Sequence, residues 1–228
     1  MILAVRDQAL PDVTQMLLGT GMLGKRHVLL HCAGASSAQD VLGEATGKVA
    51  GIGTLHPLSA IADGKLAMRA LKGTVFGVEG DTVGRATATT MVGLLGGVAM
   101  ALDSSQMASY HAAAAMASNY VVAALDAAAA ALTAVGIPPD RAAAALVPLA
   151  RGALDNVASR GTTNGLTGPV RRGDARTIQR HLDALTGKPE LAEIYRALAR
   201  RAVEIAARLD GPDAPDRAGL DAIRALLA

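Results

Sequence analysis

The chain has 228 residues, a formal charge of +2 and 51% hydrophobic residues, enough for one large or two small domains with a buried core. Its basic residues lean towards the C-terminal half, around Arg171–Arg172 and Arg200–Arg201, without forming a stripe. With only 2% aromatics there are no stacking platforms, so nucleic-acid binding is argued against on both counts.

The lone cysteine, Cys32, permits no internal disulfide and fits a reducing, cytoplasmic setting. No basic segment followed by an apolar run marks a signal peptide near the start. In the first hundred residues, short apolar runs at Ile2–Val5, His27–His31, Lys48–Leu55, Thr74–Glu79 and Gly97–Leu102 read as strands. Helical stretches fall between them, near 8–18, 37–46, 64–71 and 82–95. Strands alternating with helices predict a parallel sheet with crossovers, covered on both faces.

After Asp103 no strand is predicted. Residues 105–135 read as one helix, stopped by Gly136 and Pro138-Pro139. Its Ala-rich part, 112–135, is interrupted by Ser118, Asn119 and Asp126, which favours a buried soluble helix over a membrane span. The next helix covers about 140–160, with Pro148 expected to kink or divide it. A Gly-rich loop follows at 161–173. Asp174 is the expected N-cap of a helix carrying Ile178, Leu182 and Leu185, closed by Gly187. Leu191, Ile194, Leu198, Ala202, Ile205 and Leu209 form the clearest amphipathic stripe, ended by Gly211-Pro212. A short helix over 216–227 closes the chain. The domains are therefore expected at 1–103 (α/β) and 104–228 (all-α).

Three clusters could carry chemistry. In open parallel sheets ligands sit beyond the carboxyl ends of the strands. His31 and His56 fall at two such ends, and Glu79-Gly80-Asp81 closes a third strand. Each imidazole is placed either to act as an acid or base, or to satisfy backbone groups in a tight turn. In the long helix, a spacing of seven puts Ser118 beneath His111, with Asn119 on the same flank. That polar trio reads either as the wall of a cleft or as an interhelical network. The third cluster is the 165–174 loop, where Arg172 could hold a carboxylate in a bidentate way or pair with Asp174. His181 reads as a half-buried structural residue. The histidine spacing matches no local metal motif, and no metal is expected.

The string His56-Pro57-Leu58, Gly80-Asp81, Tyr110-His111 through Ser118-Asn119-Tyr120, Leu166-Thr167-Gly168-Pro169, Arg172-Gly173-Asp174 and His181-Leu182 runs in order over about residues 1–200. It resembles a bacterial family of unknown function that joins a Rossmann-like domain to a helical module. Members are described as NADP-linked oxidoreductases related to 6-phosphogluconate dehydrogenase, pyrroline-5-carboxylate reductase and ketopantoate reductase. The resemblance implies hydride chemistry on a small, carboxylate-bearing substrate and a homodimer. It implies His111, Asn119 and His56 as catalytic residues, with Ser118, Thr167, Gly168, Arg172 and Asp174 on the substrate.

The family opens with a strand, a G-x-G-x-x-G turn and a helix that hold the cofactor pyrophosphate. Gly19-x-Gly21-x-x-Gly24 follows a helical stretch and precedes a strand, the reverse of that context, so it reads as a turn. Ile2–Asp7 looks like the family's mid-domain strand. The first βαβ half is thus expected to be deleted or never encoded, leaving a truncated Rossmann-like sheet and weak or no NADP binding. The related dehydrogenases carry a catalytic Lys four residues before an Asn. Here that position is Ala115, and His111 is the residue expected to substitute. Two readings stay open: an NADP-dependent oxidoreductase, or a non-catalytic small-molecule binding protein derived from one.

Overall fold

A computed structural model describes residues 1–61, 71–211 and 214–228. The helix expected over 64–71 therefore lies, except for Leu71, outside the described residues, as does Pro212. Contacts group the chain into two units, Met1–Asn119 and Tyr120–Ala228.

The first unit is built on β1 (Ile2–Leu3), β2 (Val28–His31), β3 (Gly51–Pro57), β4 (Val75–Gly80) and β5 (Val98–Ala101), in spatial order β1-β2-β3-β4-β5. The strands expected around His27–His31, Ile2–Val5 and Lys48–Leu55 pair in parallel, as helical crossovers require. One junction departs from the parallel expectation. β3 and β4 run antiparallel, with Gly53 opposite Gly80 and His56 opposite Gly77. β4 and β5 are parallel again. Glu79-Gly80-Asp81 therefore ends β4 towards the start of β3, at the opposite end from His56.

Helices α1 (Leu10–Gly19), α2 (Ala38–Leu42) and α3 (Thr82–Leu94) cover the sheet. Alternation splits the strands between two cores. Leu3, Leu29 and Ile52 pack with Leu10, Ala38 and Leu42. Leu30, Leu55, Phe76 and Val78 pack with Ala88 and Val92 on the other face. With so few aromatics, Phe76 is the largest fully buried side chain, and Phe76→Ala would cost about 3–5 kcal/mol.

Helix α3 lies almost on the backbone of β3. A methyl group built on Gly84 would stand 1.9 Å from the carbonyl oxygen of Ile52, so no side chain fits there. Asp81 caps this helix through Oδ1, accepting from Gly84 N–H at 2.7 Å. Its Oδ2 accepts from Ile52 N–H at 2.9 Å.

The expected long helix over 105–135 is two helices. α4 (Met107–Ala117) and α5 (Asn119–Thr133) are separated at Ser118, whose backbone turns to φ −122°, ψ −78°. The break cancels the seven-residue spacing argument for His111, Ser118 and Asn119, which assumed one unbroken helix. The run is also not buried within the chain: Met116, Tyr120 and Val122 are each more than 60% exposed. By length and composition alone, Ser104–Thr133 is apolar enough to cross a membrane.

The second unit is helical throughout its described residues. α6 (Pro139–Gly165) passes through Pro148 and breaks instead at Gly161, φ 72° and ψ 173°. The expected Gly-rich loop contains the rest of that helix and a short α7 (Gly168–Arg171). α8 (Ala175–Ala184), α9 (Pro189–Ala206) and α10 (Arg217–Leu227) follow. Ile178, Leu182, Val203, Leu220, Ile223 and Leu227 form their core. The α9 stripe is only partly used, since Ile194 and Leu198 remain exposed.

Candidate functional site

The carboxyl end of β3 carries a polar cluster. His56 projects there half-buried, and α4 delivers two consecutive side chains to it. The Tyr110 hydroxyl lies 2.9 Å from His56 Nδ1. It also accepts from Gly77 N–H at 3.2 Å and donates to the His56 carbonyl oxygen at 3.1 Å. The His111 ring packs edge-on to His56, with centroids 5.6 Å apart. Neighbouring helical residues point about 100° apart, so Tyr110 and His111 can flank one imidazole.

Gly34, on the turn after β2, closes the third side. A methyl built on it would fall 2.6 Å from His111 Cδ2 and 2.7 Å from His56 Nε2, closer than any side chain can pack. Burial lowers the pKa of His56, and the neighbouring His111 lowers it further. Both effects disfavour a charged imidazole. Burial likewise raises the pKa of the Tyr110 phenol, opposed by its Gly77 hydrogen bond.

Beneath this cluster lies a buried relay. His31 is fully buried, and its Nδ1 accepts from Ala33 N–H at 3.1 Å. Its proton is therefore on Nε2, which stands 2.9 Å from Thr54 Oγ1. Thr54 donates to Glu79 Oε2 at 3.3 Å, and Ala38 N–H donates to the same oxygen at 2.7 Å. Burial pushes the pKa of His31 down to about 4, opposed mainly by a backbone hydrogen bond with Ser37. Of the two roles open to it, His31 satisfies a turn. Cys32 beside it is half-buried, and burial raises its thiol pKa.

The structure thus brings His56 and His111 together. Ser118 sits at the helix break, and Asn119, exposed, begins α5. Thr167, Gly168, Arg172 and Asp174 belong to the second unit. There Thr167 precedes α7, Gly168 opens it at φ 88°, and Arg172 is exposed. Asp174 caps α8 by accepting from Thr177 N–H at 3.0 Å and Thr177 Oγ1 at 2.7 Å, and these bonds hold its carboxyl below the usual pKa. His181 is exposed rather than half-buried, and its Nδ1 lies 2.9 Å from the Tyr195 hydroxyl. Among the described residues no three metal-binding side chains converge.

Gly34 and Thr54 were not among the expected site residues. Tyr110, beside His111, and His31 and Glu79, at strand ends, were visible in the sequence without the contacts that join them. The relay joins residues 23 and 25 apart, which only strand pairing brings together.

This geometry defines a Rossmann-like α/β protein with a helical C-terminal domain. Residues 74–202, more than half of the chain, match the domain of unknown function DUF2520, and the chain belongs to that family. Protein TM1727 from Thermotoga maritima is similar in structure, at 26% identity and TM-score 0.73, covering 91% of this chain and 79% of that one. The provisionally named NADP oxidoreductase BF3122 from Bacteroides fragilis has 24% identity and TM-score 0.66, covering 90% and 74%. A 1-pyrroline-5-carboxylate reductase from Streptococcus pyogenes shares the fold at 15% identity and TM-score 0.56, covering 89% and 75%. No curated protein matches the chain.

Proposed function

We propose that this protein is an oxidoreductase relative whose His56–Tyr110–His111 cluster binds a small, polar, carboxylate-bearing molecule and exchanges a proton with it. The carrying observation is the meeting of two imidazoles and a phenol at the carboxyl end of a strand, where sheets of this kind hold their ligands. His111 is half-exposed and can exchange protons with solvent, the property required of a general acid or base. His56 is held in place by Tyr110, and burial lowers its pKa.

NADP, which the oxidoreductases of this fold use for hydride transfer, does not fit the N-termini of α2 and α3. Glu79 already takes the Ala38 N–H at α2, and Asp81 takes the Gly84 N–H at α3. A carboxylate at each start repels a pyrophosphate that would need those donors. The Gly19-x-Gly21-x-x-Gly24 segment runs from the last residue of α1 towards β2. That mismatch favours a second reading, ligand binding without turnover.

The test is calorimetry of the whole chain with 2-oxo, 2-hydroxy and 2-amino acids, each with and without NADPH, alongside NADPH oxidation. Wild type should bind at least one class, and His111→Ala should weaken binding about tenfold or more, roughly 1.4 kcal/mol. Binding without NADPH oxidation selects the second reading. No binding by wild type, or unaltered binding by His111→Ala, overturns the site.

A further inference from the structure

We infer that Tyr110 is a positioning residue that locks His56 as its Nδ1–H tautomer, so that Nε2 is presented to the ligand as a bare acceptor. Three contacts meet at the phenol oxygen: Gly77 N–H at 3.2 Å, the His56 carbonyl at 3.1 Å and His56 Nδ1 at 2.9 Å. A phenol has one proton to give and lone pairs to accept with. Gly77 N–H can only donate to it, and the carbonyl can only accept from it. The single phenolic proton is thus committed to the carbonyl. The contact to Nδ1 is then a hydrogen bond only if Nδ1 carries the proton and donates. The reverse assignment, with the phenol donating to Nδ1, leaves the carbonyl contact without a proton. Only the Nδ1–H tautomer satisfies all three.

The consequence falls on the other ring nitrogen. Nε2 stands over Gly34, beside His111, and no described residue hydrogen-bonds to it. A neutral imidazole protonated on Nδ1 offers a lone pair at Nε2. It can receive a hydroxyl or N–H group but cannot donate to a carbonyl oxygen. Resting on the reading of this cluster as a ligand site, the substrate class narrows to carboxylate-bearing molecules that present an O–H or N–H donor at this point.

Long-range proton–nitrogen NMR spectra of the ¹⁵N-histidine-labelled whole chain, at a pH where His56 is neutral, test this directly. The His56 resonances are identified by their loss in His56→Gln. Wild type should show a pyrrole-type Nδ1 and a pyridine-type Nε2, and Tyr110→Phe should shift intensity towards the opposite pattern. A pyrrole-type Nε2 in wild type overturns the inference, with no need for the variant to fold. The ligand class is then probed with lactate and pyruvate at equal concentration. The His56 Nε2 signal should respond to lactate and not to pyruvate. An equal or larger response to pyruvate overturns the donor class. The assigned tautomer with no response to either acid overturns the donor class, while Tyr110's positioning role stands and the ligand reading is decided by the calorimetry.

Discussion

The hydroxyl of Tyr110 bonds to both the ring and the backbone of His56, at 2.9 Å from Nδ1 and 3.1 Å from the carbonyl oxygen. One helical side chain thereby fixes the orientation of an imidazole and the end of the strand that bears it. The adjacent residue on the helix, His111, is left free to face the same ring.

Gly34 sets how closely those rings can approach the turn after β2. Substituting Gly34→Ala would place a methyl 2.7 Å from His56 Nε2, and Tyr110 prevents the His56 ring from yielding freely. The expected result is displaced His56 and His111 NMR signals and at least a tenfold loss of ligand affinity. A crystal structure of the variant with both rings unmoved would refute it.

His31 gives the protein a pH-dependent stability. Its folded pKa, about 4, lies below the ordinary value of 6.5, so between those limits the unfolded chain binds the extra proton. Stability therefore rises with pH across this window, is fully present above about 6.5, and is lost as the pH falls towards 4. The span corresponds to about 3 kcal/mol at most. Urea unfolding at stepped pH should show this slope in wild type and a shallower one in His31→Gln. Identical slopes would remove His31 as the cause.

Asp174 is expected to matter for stability through its cap. Asp174→Ala should cost about 1 kcal/mol, and Asp174→Ser should recover most of it, since serine also caps. If thermal unfolding shows both variants equally destabilised, the cap is not the source.

We propose that a second copy of the chain covers part of the exposed apolar surface of α5. Tyr120 and Val122 are large and exposed, unusual for an Ala-rich helix in water. Light scattering of the purified chain should give a dimer, and Val122→Glu should weaken it. A wild-type monomer at all accessible concentrations would rule this out.

Much of the architecture was legible beforehand. Val28-Leu29-Leu30 reads as a strand covered on both faces, and Leu29 and Leu30 indeed serve opposite cores. Asp174 announced its helix through simple cap chemistry. The β3/β4 reversal was not legible, because antiparallel and parallel strands can carry the same apolar letters. The break at Ser118 was hidden by alanine, whose strong helix preference masks a single turn of backbone. At the site, strand-end position pointed to His56, and the polar interruption of an Ala-rich helix pointed to His111. Gly34 and the role of Tyr110 escaped because they depend on distances across the fold.

Asp81 ties two separate pieces of secondary structure to one carboxylate. The amide of Ile52 at the start of β3 and the amide of Gly84 in the first turn of α3 each bond to one of its oxygens. Neither amide can open to solvent without disturbing the other's acceptor. The two should therefore exchange hydrogen for deuterium as one cooperative unit, at a rate set by a shared opening event rather than by helix fraying. Asp81→Asn keeps only one good acceptor oxygen and would split that event into two.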